Sequence, residues 1–97
     1  MTTYFVSRHT GAEQWISQQG IEIDEKIDHI DPAIVKCGDT VIGSLPVNLV
    51  AEVYKRGGRY FHLTLDMPRE IRGKELTVDD MAHCNARLEE FIVLLKD

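Results

Sequence analysis

Two short polar runs carry the chemistry open to this chain. Ser7-Arg8-His9 closes the apolar run "TYFVSRH", and Gly43-Ser44-Leu45-Pro46 closes "TVIGSLP". Arg8 offers a planar guanidinium whose parallel N–H groups match a phosphate. Ser7 and Ser44 carry hydroxyls that donate to phosphate oxygens, and Gly43 lets the backbone approach a ligand closely. His9 brings an imidazole, the side chain whose ordinary pKa lies nearest neutrality, able to take or give a proton. Pro46 suits the first turn of a helix, and the free N–H groups of a helix start attract anions. Gly11 and Leu45 fall in the same two turns. Asp66 and Arg69 follow a third run, "YFHLTLDMPR". The combined chemistry is that of an anion site with a proton carrier beside it.

Each residue also has a plainer use. Arg8 suits pairing with a surface carboxylate, His9 a solvated loop or cap, Ser44 turn chemistry before Pro46, and Asp66 a turn before Met67-Pro68. His62 lies inside a strand-like run and reads as ordinary packing; His29, His83 and Cys84 read as structural or surface residues. The two cysteines and four histidines show no metal-ligand spacing, so no metal is expected. Neither GxGxxG nor GxxxxGK[ST] occurs, so NAD and ATP sites are not indicated, and no cofactor is expected.

The elements that must hold these residues fit one domain over 1–97, since 97 residues suffice for one core and not two. Hydrophobic residues at 43% and charged ones at 28% are ordinary for a globular protein. A net charge of −5 argues against a broad face for duplex nucleic acid, while leaving room for a local cationic cluster drawn from Arg8, Arg56, Arg59, Arg69 and Arg72. No apolar run approaches the ~18–20 residues of a membrane span, and "MTTYFVSRH" lacks the features of a secretory leader. No membrane partner and a cytoplasmic setting are expected.

Residues 3–7 read as a buried strand and 12–19 as a helix closed by Gly20. A strand falls near 25–30, and Asp31-Pro32 starts a short helical turn. Thr40 to Gly43 form a further strand after a Gly38-Asp39 turn. The helix after Pro46 places Val47, Val50, Ala51 and Tyr54 on one face before two glycines. "RYFHLTLDMP" is the fourth strand, stopped by Pro68, and 69–76 is a polar loop. Thr77 and Asp80 suit a capping box. Met81, Cys84, Leu88, Phe91, Ile92 and Leu95 then share the stripe of one long amphipathic helix. Alternating strands and helices predict an α/β, small Rossmann-like domain with about four mostly parallel strands, ordered 2-1-3-4, and helices on both faces. Strands one and three are then neighbours whose connections leave toward opposite faces, and ligands bind beyond their carboxyl ends. Ser7-Arg8-His9 and Gly43-Ser44 meet at that point.

The same residues carry a resemblance. "TYFVSRHTGAEQW", "GDTVIGSLPVNLVAEV" and "RYFHLTLDMPREIRGKEL" resemble the small CRISPR-associated family labelled Csx-sixteen, encoded beside type III CRISPR systems, from Thr3 to about Phe91. The resemblance implies a CARF-like homodimeric ring nuclease. Such an enzyme cleaves cyclic tetra-adenylate without metal and switches off antiviral signalling. Arg8, His9 and Ser44 would be catalytic, with Ser7, Gly11, Gly43, Leu45, Asp66 and Arg69 in binding. Two other classes stand beside it: a module that sequesters the cyclic nucleotide without turnover, and an interaction protein using the apolar stripe of the last helix.

Overall fold

The computed structural model describes residues 1–7, 10–66 and 77–96. In chain order the elements are β1 (Thr3–Val6), α1 (Thr10–Gln18), β2 (Glu25–Ile27), a 3-10 turn (Pro32–Ile34), β3 (Thr40–Gly43), α2 (Val47–Lys55), β4 (Arg59–Thr64), α3 (Val78–His83) and β5 (Arg87–Phe91). They build one five-stranded sheet in the order β2-β1-β3-β4-β5. The first four strands are parallel, and β5 runs antiparallel to β4. This is an α/β domain of Rossmann-like form, with the expected order 2-1-3-4 intact inside it. Among the described residues no helix is long and apolar enough to cross a membrane.

Strand side chains alternate between two cores. Tyr4, Val6, Val41 and Tyr60 face α2 and the 3-10 turn, where Val50, Val53 and Val35 meet them. Phe5, Ile42 and Leu63 face α1 and α3, packing on Ala12, Trp15, Ile16 and Met81. Burial on both faces explains why β1 and β3 are continuous apolar runs.

Several local readings hold. Asp31 accepts the Ala33 N–H at 2.9 Å, with Pro32 opening the 3-10 turn. Thr77 and Asp80 form the reciprocal capping box. α2 ends as a double-glycine stop should: Gly57 donates to the Tyr54 carbonyl and Gly58 to that of Val53, both at 3.0 Å, with Gly57 at φ 86°. That is the Schellman arrangement.

Three expectations are corrected. The sheet has five strands, not four. The long C-terminal helix does not form: α3 stops at His83, Asn85 takes a left-handed φ of 54°, and Arg87–Phe91 becomes β5. An unpaired β4 edge would waste a full row of ladder groups, and β5 fills it. Arg59 then grips Glu90 through two bonds of 2.8 and 3.0 Å, a bidentate fork no helix could offer. Met81 and Cys84 still pack inward, but the remainder of the helical stripe lies along extended chain. The buried face of α2 is also turned: Val50 and Val53 are inside, whereas Val47 and Tyr54 are exposed.

Asp39 fastens the start of β1. Its buried carboxylate accepts the N–H groups of Thr2 and Lys36, each at 2.9 Å. These two bonds hold its pKa below the ordinary 3.8, against the opposing effect of burial. A depressed folded value means that the stabilisation is complete above about 3.8 and is lost as pH falls through the folded pKa. Asp39→Asn should therefore lower the urea midpoint near neutrality, and the gap from wild type should close in acid. A gap that stays constant from about pH 6 to about pH 2 would contradict this assignment.

Candidate functional site

The last residues of β1 and β3, Val6 and Gly43, are register partners, and His62 of β4 is opposite Gly43 on the other side. Val6, Gly43 and His62 thus form a row across three parallel strands, level with the ends of β1 and β3, while β4 runs on to Thr64. Gly43 is buried, and a Cβ there would meet the Val6 carbonyl oxygen at 2.8 Å. The glycine is needed because the backbones pass too closely for any side chain.

Beyond Gly43 the chain turns into α2. Ser44 is exposed, and its Oγ donates to the Leu63 carbonyl at 3.2 Å, which stitches this turn to β4. Leu45 is half-buried, and its N–H donates to the Tyr60 hydroxyl at 2.9 Å. Pro46 caps α2 with no side-chain hydrogen bond, and its carbonyl takes the N–H groups of Leu49 and Val50.

Tyr60 is the buried centre of this edge. Its Oη lies 3.0 Å from the Gly43 carbonyl, 2.9 Å from the Leu45 nitrogen and 2.7 Å from His62 Nδ1. Burial raises the phenol pKa, with the Leu45 N–H pulling the other way, so the hydroxyl keeps its proton at neutral pH. His62 sits half-buried between the Tyr60 ring, at 5.8 Å, and the Phe91 ring, edge-on at 5.8 Å. Sequence reasoning assigned His62 to packing. The signal that could have found it is the Tyr60-x-His62 spacing, which places both on one face of a strand. Thr64, the next residue on that face, has a buried Oγ1 with no hydrogen-bond partner among the described residues.

The other expected residues divide. Ser7 follows β1, with its N–H on the Ile27 carbonyl at 3.1 Å, and Gly11 is buried in the first turn of α1. Asp66 lies just beyond β4, where its carboxylate receives Asn85 Nδ2 at 3.2 Å and Arg87 at 3.3 Å. Those bonds hold its pKa below the ordinary carboxylate value and tie β4 to the α3–β5 turn. Arg8, His9 and Arg69 lie outside the described residues. Arg56 and Arg59 do not join the expected cationic cluster. Arg56 ends α2 and pairs with Glu52, while Arg59 starts β4 at the opposite edge of the sheet. Gly43→Ala should therefore cost about 1–3 kcal/mol in urea unfolding, because the new methyl meets backbone that cannot swing aside. Wild-type stability in that variant would show that β1 and β3 part freely.

Residues 4–94 match the family model described as "Putative CRISPR-associated protein (Cas_VVA1548)". No curated protein and no solved structure gives a match. The family match spans both turns, the row at the sheet edge and β5, and on that extent the chain belongs to this CRISPR-associated family.

Proposed function

We propose that this protein is a metal-independent ring nuclease that cleaves cyclic tetra-adenylate and so ends type III CRISPR signalling in the cytoplasm. The observation that carries the reading is the β1–β3 junction in a chain of the CRISPR-associated family: Val6 and Gly43 end side by side, with an uncapped α2 start directly beyond. Such a junction is where open α/β sheets bind ligands, and a helix start favours phosphate.

The reaction asks little of the protein. The substrate's 2′-hydroxyl attacks the adjacent phosphorus in line, the O2′–P bond forms as P–O5′ breaks, and a 2′,3′-cyclic phosphate and a 5′-hydroxyl result. Arg8 and backbone N–H groups near Ser44 stabilise the added charge. Ser7, Ser44, Gly11, Gly43 and Leu45 shape and orient the phosphate and ribose, with Asp66 and Arg69 at the outer edge. His9 transfers a proton, worth ~10²–10⁴-fold. Two copies related by a twofold axis would present matched sets to a symmetric ring.

The alternative, sequestration without turnover, uses the same crevice. The third reading loses its helix, because the exposed apolar residues Phe91, Ile92, Leu94 and Leu95 belong to β5 and the chain after it. That exposed apolar run instead supports the homodimer.

Incubation with cyclic tri-, tetra- and hexa-adenylate in EDTA, followed by product mass, should show linear products ending in cyclic phosphate from the tetra-adenylate ring. Binding without cleavage would favour sequestration, and activity restored only by Mg²⁺ or Mn²⁺ would refute the mechanism. Arg8→Ala should weaken binding and slow single-turnover cleavage together; unchanged binding and rate would move the site elsewhere. Light scattering at micromolar protein should give a dimeric mass, against which a monomer with full activity would count.

A further inference from the structure

The sheet ends on the β1 side in a short strand. β2 opens the order β2-β1-β3-β4-β5, so among the described residues no strand lies beyond it. It runs parallel to β1, with Tyr4 opposite Glu25, Phe5 opposite Lys26 and Val6 opposite Ile27. The Ile27 carbonyl turns inward and takes the Ser7 N–H at 3.1 Å. Backbone direction alternates along a strand, so the N–H and C=O of Lys26 point outward. Such outward groups are a template for one more strand.

Beside that edge, between α1 and the chain from Ile21 to Lys26, is a hollow of about 180 Å³. Phe5, Ile16, Ile21 and Ile23 give it apolar walls. Glu13 and Lys26, half-exposed and 3.8 Å apart, also line it. The space would hold several waters, and so one branched apolar side chain. Phe5 faces α1, and its register partner Lys26 shares that face. In a strand added outside β2, the residue opposite Lys26 projects to the same face, at the hollow.

Charge selects the occupant. The stretch "IEIDEKID" from Ile21 to Asp28 holds four carboxylates against one ammonium, and Glu22, Asp24, Glu25 and Asp28 are exposed. One Asp24 oxygen accepts the Thr3 N–H at 2.8 Å. A second copy of β2 would set like charges against each other across the strands. Nucleic acid and anionic membranes meet the same repulsion. An extended segment with Lys or Arg around one apolar residue meets attraction instead.

We infer that β2 and the hollow beside it form a docking edge for an extended, cationic peptide segment of another protein. The segment adds as a strand outside β2, its backbone bonding Lys26 and its apolar side chain entering the hollow. Residues two positions to either side of that side chain then come level with Asp24 and Asp28, where Lys or Arg fits. Docking here stands whether or not the protein cleaves cyclic nucleotides.

The probe is the peptide Lys-Thr-Leu-Thr-Lys, blocked at both ends and titrated into full-length protein followed by amide NMR. It should move the signals of Ile23, Lys26 and Ile27 saturably at submillimolar peptide. Glu-Thr-Leu-Thr-Glu and Lys-Thr-Ser-Thr-Lys should each bind ~10-fold or more weakly. Two variants change exposed residues that the core does not use. Ser17→Phe fills the hollow, which Ser17 lines, and Asp28→Lys reverses a flanking charge; each should weaken the first peptide ~5-fold or more. Signals that stay still at millimolar peptide overturn the inference. So does equal binding of the acidic peptide, or Ser17→Phe binding as wild type does. Shifts at β2 that grow with protein concentration alone would give the edge to a second copy. Leucine amide binding as tightly as the peptide would give the hollow to a small ligand. Either result also overturns the peptide edge.

Discussion

The pairing of β1 with β3 is the constraint on which everything else depends. They are parallel and adjacent, with β2 on the outer side of β1 and β4 on the outer side of β3. The chain leaves β1 through α1 and β3 through α2, so these two helices cover opposite faces. Such a junction, with helices on opposite faces, is where open α/β sheets bind ligands. The pairing is close enough that Gly43 has no room for a methyl group against the Val6 carbonyl.

A single phenol joins the turn before α2 to the core. Tyr60 packs its ring with Val41 and Val53, while its hydroxyl meets Gly43, Leu45 and His62. One hydroxyl thereby serves three polar groups at the point where α2 begins. The same packing that buries Tyr60 raises its pKa and keeps the hydroxyl neutral. Core packing and the hydrogen bonds at the sheet edge are therefore one arrangement here. A substitution at Tyr60 is felt in both.

β5 matters through a different balance. As a helix, the C-terminal segment would satisfy its own backbone but leave the β4 edge open. As a strand, it satisfies that edge and aligns Arg59 with Glu90, and Arg87 with Asp66 and Glu89. These pairs are half-exposed, so each adds little alone. The backbone ladder is the larger gain. Asp66 is consequently engaged in holding the turn before β5.

The sequence by itself determined the parallel α/β class, the order of the first four strands, and local stops such as the Gly57-Gly58 end of α2 and the Thr77–Asp80 cap. Each is decided within a few residues, by side-chain periodicity or by backbone groups that need a near neighbour. It also marked Ser7 and Gly43-Ser44 as ends of adjacent strands, because crossover rules leave few alternatives. Only the tertiary structure decided that Arg87–Phe91 is a strand. Its helical periodicity was genuine, but the competing partner, the open edge of β4, is distant in sequence. The tertiary structure alone also placed His62 Nδ1 2.7 Å from the Tyr60 hydroxyl, whose other sides meet Gly43 and Leu45. No spacing rule reaches across three segments; the phenol's hydrogen-bonding capacity does.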